Sequence, residues 1–102
     1  MSDPVQISPA ARHDLAAIWA YISRDNEDAA TDLLQSIYRQ CLVLAELPGL
    51  GKPRDADLAK GLRSYPVGRY VIYFRMCGSK LDLVRVIHSA RDLTEIFGPD
   101  QD

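Results

Sequence analysis

Cysteine is scarce in this chain, and the two present, Cys41 and Cys77, lie far apart and form no CxxC. A disulfide-stapled scaffold is therefore excluded. The only further soft ligands, His13 and His88, stand at no zinc-like spacing, so no metal is expected. No apolar run approaches the roughly 18 residues a membrane span needs. Met1-Ser2-Asp3-Pro4 lacks the basic start and apolar core of a secretory signal, so the expected location is the cytoplasm, with no membrane contact. Lysine is limited to Lys52, Lys60 and Lys80, and no tyrosine follows Tyr73. Ser64, Ser79 and Ser89 lack a Gly-x-Ser-x-Gly setting, and neither cysteine has a context that would make it a thiolate. Pro48-Gly-Leu-Gly-Lys-Pro53 lacks P-loop spacing, and no helix is predicted after it. No cofactor is expected. The adjacent acids Glu27 and Asp28 are explained by helix capping.

The chain has 102 residues, 47% of them hydrophobic and 25% charged, which fits one ordinary globular domain spanning residues 1–102. Its net charge of −2 hides a polarity. Charge sums to −4 up to Gly51, to +6 from Lys52 to Arg91, and to −4 from Asp92 onward. A basic centre of this kind steers an anionic or acidic partner even when the total is negative.

Val5-Gln6-Ile7 alternates like a short strand. Ser8-Pro9 then reads as a hydroxyl cap followed by proline in the first turn of a helix. Ala11, Leu15, Ile18 and Ile22 recur at helical spacing, with Trp19 on the same flank, predicting a first helix from about Pro9 to Arg24. Asn26 caps a second, with Glu27 and Asp28 in its first turn. Ala30, Leu34, Ile37, Cys41 and Leu44 carry its apolar stripe, widened by Leu33, Tyr38 and Ala45, to about Glu46. So short a break forces an antiparallel helical hairpin.

Leu47 to Lys60 reads as an irregular connector. Three strands follow: Leu62–Tyr65, ended or edged by Pro66; Arg69–Met76; and, across the Cys77-Gly78-Ser79 turn, Lys80–His88. Arg91–Phe97 is expected as a short closing helix and Gly98–Asp102 as a frayed end. The fold class is α+β: a helical hairpin packed on a small antiparallel sheet, in the order β-α-α-β-β-β with a short C-terminal helix.

Arg69, Arg75 and Arg85 fall on adjacent hairpin strands, and His88 and Arg91 follow Arg85 at three-residue intervals. Two uses are open to them. They pair with the acidic helices of the same domain, or they contact an anionic or acidic partner. Both hairpin strands are apolar on both faces: Tyr70, Ile72, Phe74 and Met76 against Val71 and Tyr73 on one strand, Leu81, Leu83 and Ile87 against Val84 and Val86 on the other. A helical hairpin covers one face only. The other needs the C-terminal segment or a second chain, and a protein partner is favoured.

Several pieces, in order, resemble the ParE branch of the RelE/ParE superfamily, the toxins of type II toxin–antitoxin modules. They are Ile7-Ser8-Pro9-Ala10-Ala11 with Asp14-Leu15 and Ile18-Trp19-Ala20-Tyr21-Ile22; Ala29-Ala30; Leu47-Pro48 with Gly51 and Arg54; Gly61 to Gly68; Arg69 to Arg75; and Val84 to Asp92. The resemblance implies the same strand and helix order. It also implies a non-enzymatic block of DNA gyrase, neutralised by a ParD-like antitoxin whose C-terminal segment wraps the toxin, with no direct contact to nucleic acid. Arg63, Arg69, Tyr73, Arg75, Arg85, His88 and Arg91 are then the partner-binding candidates. The alternative is a RelE-like ribosome-dependent mRNA endonuclease, in which Arg63, Arg85 and His88 supply cations and an acid–base group. The few lysines and the missing C-terminal tyrosine weigh against that alternative. A third class, a binding module without toxicity, stays open.

Overall fold

The computed structural model describes residues 3–97. Strand β1 (Val5–Ile7) leads into helices α1 (Pro9–Ser23) and α2 (Glu27–Glu46). A 3₁₀ turn at Pro48–Leu50 follows, then β2 (Lys52–Pro53), β3 (Arg63–Val67), β4 (Tyr70–Cys77), β5 (Lys80–His88) and a helical turn, α3 (Leu93–Phe97). The two helices pack on a five-stranded sheet ordered β1-β5-β4-β3-β2. The expected α+β hairpin-on-sheet fold is present. Residues 98–102, expected to fray, lie outside the described residues.

Local chemistry places the element ends. The Ser8 hydroxyl accepts from the Ala11 amide (3.0 Å) and the Asn26 side chain from that of Ala29 (3.0 Å), so each helix opens on a satisfied cap. The turns joining β3 to β4 and β4 to β5 each have two residues, with Gly68 and Gly78 first, at φ 60° and 65°. A type II′ hairpin turn wants glycine at that position.

The sheet departs from the sequence expectation in three ways. It is mixed rather than purely antiparallel, since β1 pairs parallel with β5, Val5 opposite Leu81. That orientation is set by where the helical hairpin returns the chain. Secondly, the connector supplies an extra strand, β2, whose two residues pair with Arg63 and Ser64. Thirdly, β3 runs on past the expected end at Tyr65 to Val67, and of the two placements open to Pro66 the edge is the one found. Proline lacks an N–H, and β2 stops short of it, so no ladder bond is lost on that edge.

The core fills both faces. Phe74, Ile72, Leu81 and Leu83 meet Ile37, Cys41 and Leu44 under the helices. On the far face Leu62, Tyr73 and Ile87 are covered by Leu58, Ala59, Leu93, Ile96 and Phe97. Of the two coverings open to that face, it is the chain's own C-terminal segment that supplies one.

A register shift in β5 joins sheet to helix. Tyr73 stands opposite Arg85 and Phe74 opposite Leu83, so Val84 is the extra residue. The β1 edge ends there: Ser8 donates its amide to the Leu83 carbonyl (3.0 Å) and its hydroxyl to that of Val84 (2.8 Å). Beyond it, Asp14 of α1 accepts the Val86 amide at 3.0 Å and two guanidinium bonds from Arg85, at 2.7 and 2.9 Å. The carboxylate does for this edge what a longer β1 would have done, and it neutralises a half-buried arginine.

Asp14→Ala is expected to cost about 2–4 kcal/mol in urea denaturation, since it strands both Arg85 and the Val86 amide; Asp14→Asn, which keeps an acceptor, is expected to cost less. At Gly51 a Cβ would lie 2.5 Å from the Phe74 ring, so Gly51→Ala is expected to lower stability by about 1–3 kcal/mol. An unchanged midpoint would show that Phe74 can give way. Burial pushes the Cys41 thiol up from its ordinary 9.0 to about 12, while Cys77 is exposed. Alkylation of native protein at about pH 8 should therefore modify Cys77 alone, with Cys41 reacting only after denaturation. Because the folded thiol is the weaker acid, its contribution to stability is present below pH 9.0 and is lost as pH rises toward about 12.

Candidate functional site

The sequence candidates do not converge on one place. Arg85, His88 and Arg91 line a small cavity of about 140 Å³ with Asp14 and Tyr70, where the C-terminal end of β5 meets α1. Within it Arg85 is committed to Asp14, and that pair raises its guanidinium's affinity for its proton. His88 accepts the Ala90 amide on Nδ1 (3.1 Å) and lies edge-on to Tyr70, ring centroids 5.2 Å apart. That contact leaves Nε2 as the protonated nitrogen of the neutral ring. Arg91 is exposed.

The other candidates lie elsewhere. Arg63 donates from Nη1 to the Gly51 carbonyl (2.9 Å) beside β2. Arg69 is exposed in the β3–β4 turn, its carbonyl accepting the Ser89 amide at 2.9 Å. Arg75 is exposed on β4, opposite Asp82 of β5. Tyr73 is only 2% exposed, packed against the Phe97 ring with centroids 5.1 Å apart. Its place is in the second core. Burial raises its phenol above the ordinary value, the nearby Arg54 cation opposing the shift.

Arg54, marked in the sequence only as part of the family resemblance and not as a site candidate, organises that side. It pairs with Asp57 at 2.6 Å, donates to the buried Ser64 hydroxyl at 3.1 Å and lies 5.8 Å from the Tyr73 ring centroid. Hydrogen bonds from Arg54 hold the Asp57 carboxyl below the ordinary range. The group braces the loop over the second core, which is a packing role.

An open surface groove lies on the helices. A groove of about 490 Å³ runs along the flank of α2, lined by Thr31, Leu34, Gln35, Tyr38, Arg39 and Leu42 and walled by Trp19 of α1. The Trp19 indole N–H meets the Thr31 hydroxyl at 3.3 Å, linking the two helices at this wall. Tyr38 is 39% exposed, and its hydroxyl reaches the Asp3 carboxylate at 3.1 Å. A second hollow of about 410 Å³ shares Leu42 and continues past Val43 and Ala45 to Glu46. Val43, Leu47 and Leu50 stand exposed along the same stretch. The sequence reading placed Tyr38 in a widened core stripe; the spacing of Leu34, Tyr38 and Leu42 was the available signal that the stripe is wider than one core face. Apolar surface of this extent is typical of a docking site.

Among the described residues no helix is long and apolar enough to cross a membrane, and no three His, Cys, Asp or Glu side chains gather as a metal site requires.

Comparison with known proteins fits this geometry. A chromosomal ParDE toxin–antitoxin system from P. aeruginosa superposes with a TM-score of 0.66 at 22% identity, covering 82% of this chain and 92% of that one. A RelBE toxin–antitoxin complex from Mycobacterium tuberculosis gives 0.59 at 22% identity, covering 82% and 94%. At such identity these neighbours establish the fold. A search of curated protein sequences gave no match. The family model of the ParE toxin of the type II toxin–antitoxin system parDE matches residues 5–93. With nearly the whole described chain inside that match, the protein belongs to the ParE family of type II toxins.

Proposed function

We propose that a ParD-like antitoxin docks on the helical groove of this toxin, and that the free toxin acts by binding DNA gyrase, without catalysis. The observation that carries the first part is the groove itself: an apolar channel walled by Trp19 and Tyr38 and left open by the described residues. The far face of the sheet is covered from within, so the helices offer the apolar surface available to a partner. That the structural neighbours come from toxin–antitoxin assemblies supports a protein occupant.

The absence of catalysis is supported by how the candidate groups are spent. Nε and Nη2 of Arg85 donate to Asp14, Arg63 donates to Gly51, and His88 holds the Ala90 amide. Groups fixed by structural bonds serve poorly as phosphate ligands or proton carriers. Arg69, Arg75 and Arg91 are exposed and suited to an acidic partner. Gyrase as the target rests on membership of the family.

The purified chain is expected to inhibit supercoiling by purified gyrase. Adding the short ribbon-helix-helix protein expected from the adjacent reading frame should restore it in stoichiometric proportion. Full supercoiling in the presence of toxin that arrests growth would remove gyrase as the target. Ribosome-dependent mRNA cleavage that disappears in His88→Ala would install the endonuclease reading instead.

A further inference from the structure

The charges of α2 are arranged unlike those of an ordinary solvated helix. Its acids are Glu27, Asp28, Asp32 and Glu46, and its only base is Arg39. None has an opposite charge three or four positions away within the helix, where intrahelical pairs form. The ion pairs found among the described residues are Arg54–Asp57 and Arg85–Asp14, and neither involves α2. Asp28 and Asp32 are even a like-charged pair four apart, a spacing that weakens a helix. Glu27 and Asp28 are accounted for by the helix N-terminus. Asp32, Arg39 and Glu46 are not.

Those three are exposed and stand seven residues apart, negative, positive, negative, at steps of two helical turns or about 10.5 Å. Seven residues is nearly two full turns, so they share one side of α2. They flank the seam of Thr31, Leu34, Tyr38, Leu42 and Ala45 that lines the groove and its extension. An apolar seam bordered by charges at heptad spacing is how one helix specifies another laid alongside it, the seam supplying contact and the flanking charges choosing partner and register.

Resting on the docking reading above, we infer that Asp32, Arg39 and Glu46 are the specificity residues of the groove. They select an amphipathic partner helix whose apolar stripe is bordered by a base, an acid and a base at heptad spacing. A helix fits better than an extended strand because the lining follows α2 in steps of three and four residues, parallel to its axis. A partner with the opposite charges would meet like charge at all three positions and be rejected.

The chain has a single tryptophan, and it walls the groove. Trp19 fluorescence therefore reports occupancy directly. The probes are two synthetic peptides of about three heptads with one apolar stripe in common, one flanked by base, acid and base, the other by acid, base and acid. The first is expected to bind roughly tenfold tighter at low ionic strength, with the gap narrowing in high salt. Asp32→Lys, Arg39→Glu and Glu46→Lys combined should invert the preference; all three are exposed, so the fold should tolerate the change. Equal affinities, or a preference that survives the triple variant, would overturn the charge register while leaving the groove as the antitoxin's seat. A Trp19 signal that neither peptide alters would overturn helix docking here. Rescue of gyrase by the antitoxin reports separately on the broader reading.

Discussion

The Asp14 carboxylate closes an edge that the chain cannot close with backbone. Strand β1 is three residues long and stops at Ile7, while β5 continues to His88. The uncovered stretch of β5 would otherwise present a buried amide to a helix face, which has no spare backbone acceptor to offer. Asp14 takes the Val86 amide and the Arg85 guanidinium together, and so sets the angle and register of α1 on the sheet. Once α1 is placed, the three-residue break at Arg24–Asn26 fixes α2, and α2 presents the groove. The extra residue at Val84 belongs to the same device, since it falls where β5 passes from its strand neighbour to its helical one.

This has a functional corollary. The cations that stand out in the sequence are divided between structure and surface by what lies next to them in space. Arg85 holds the helix down and Arg63 braces the β2 connection, whereas Arg69, Arg75 and Arg91 remain exposed. Of the two uses open to the basic segment, pairing with a helix of the same domain is made by Arg85 with Asp14, while Arg69, Arg75 and Arg91 keep their side chains exposed. An acidic partner can be gripped by the exposed set without touching the bonds that keep the fold together.

The sheet's second face makes the same point for apolar residues. Tyr73 looked like a contact for another chain because it alternates with the core residues of β4. In space it lies beneath Phe97, beside Arg54. The surplus apolar surface has moved to the outside of the helical hairpin. Tyr38 and Val43 of α2 stand exposed there, as do Leu47 and Leu50 just beyond its end.

Local patterns were strong enough to write much of this fold into the sequence. The Ser8 and Asn26 caps, the heptad-like stripe of α2, and the glycine turns at Gly68 and Gly78 mark element ends by short-range hydrogen bonds and backbone sterics. The observed bounds of β1, α2 and β5 coincide with the expected ones. The two-residue β2 was hidden, because a strand so short carries no period and exists only through its pairing with β3. The parallel direction of β1 was equally invisible, for it joins residues some 76 positions apart, as the Ser8–Val84 bond does. Site residues divide along the same line. That Arg85 is a cation on a strand is a sequence fact; that Asp14 claims it, and that Trp19 meets Thr31 to wall a groove, follow only from two helices folding back on one sheet. Sequence determined the elements and their charges through neighbours along the chain, and tertiary structure decided which side chains stayed free, because partners distant in sequence compete for the same donors and the same apolar surface.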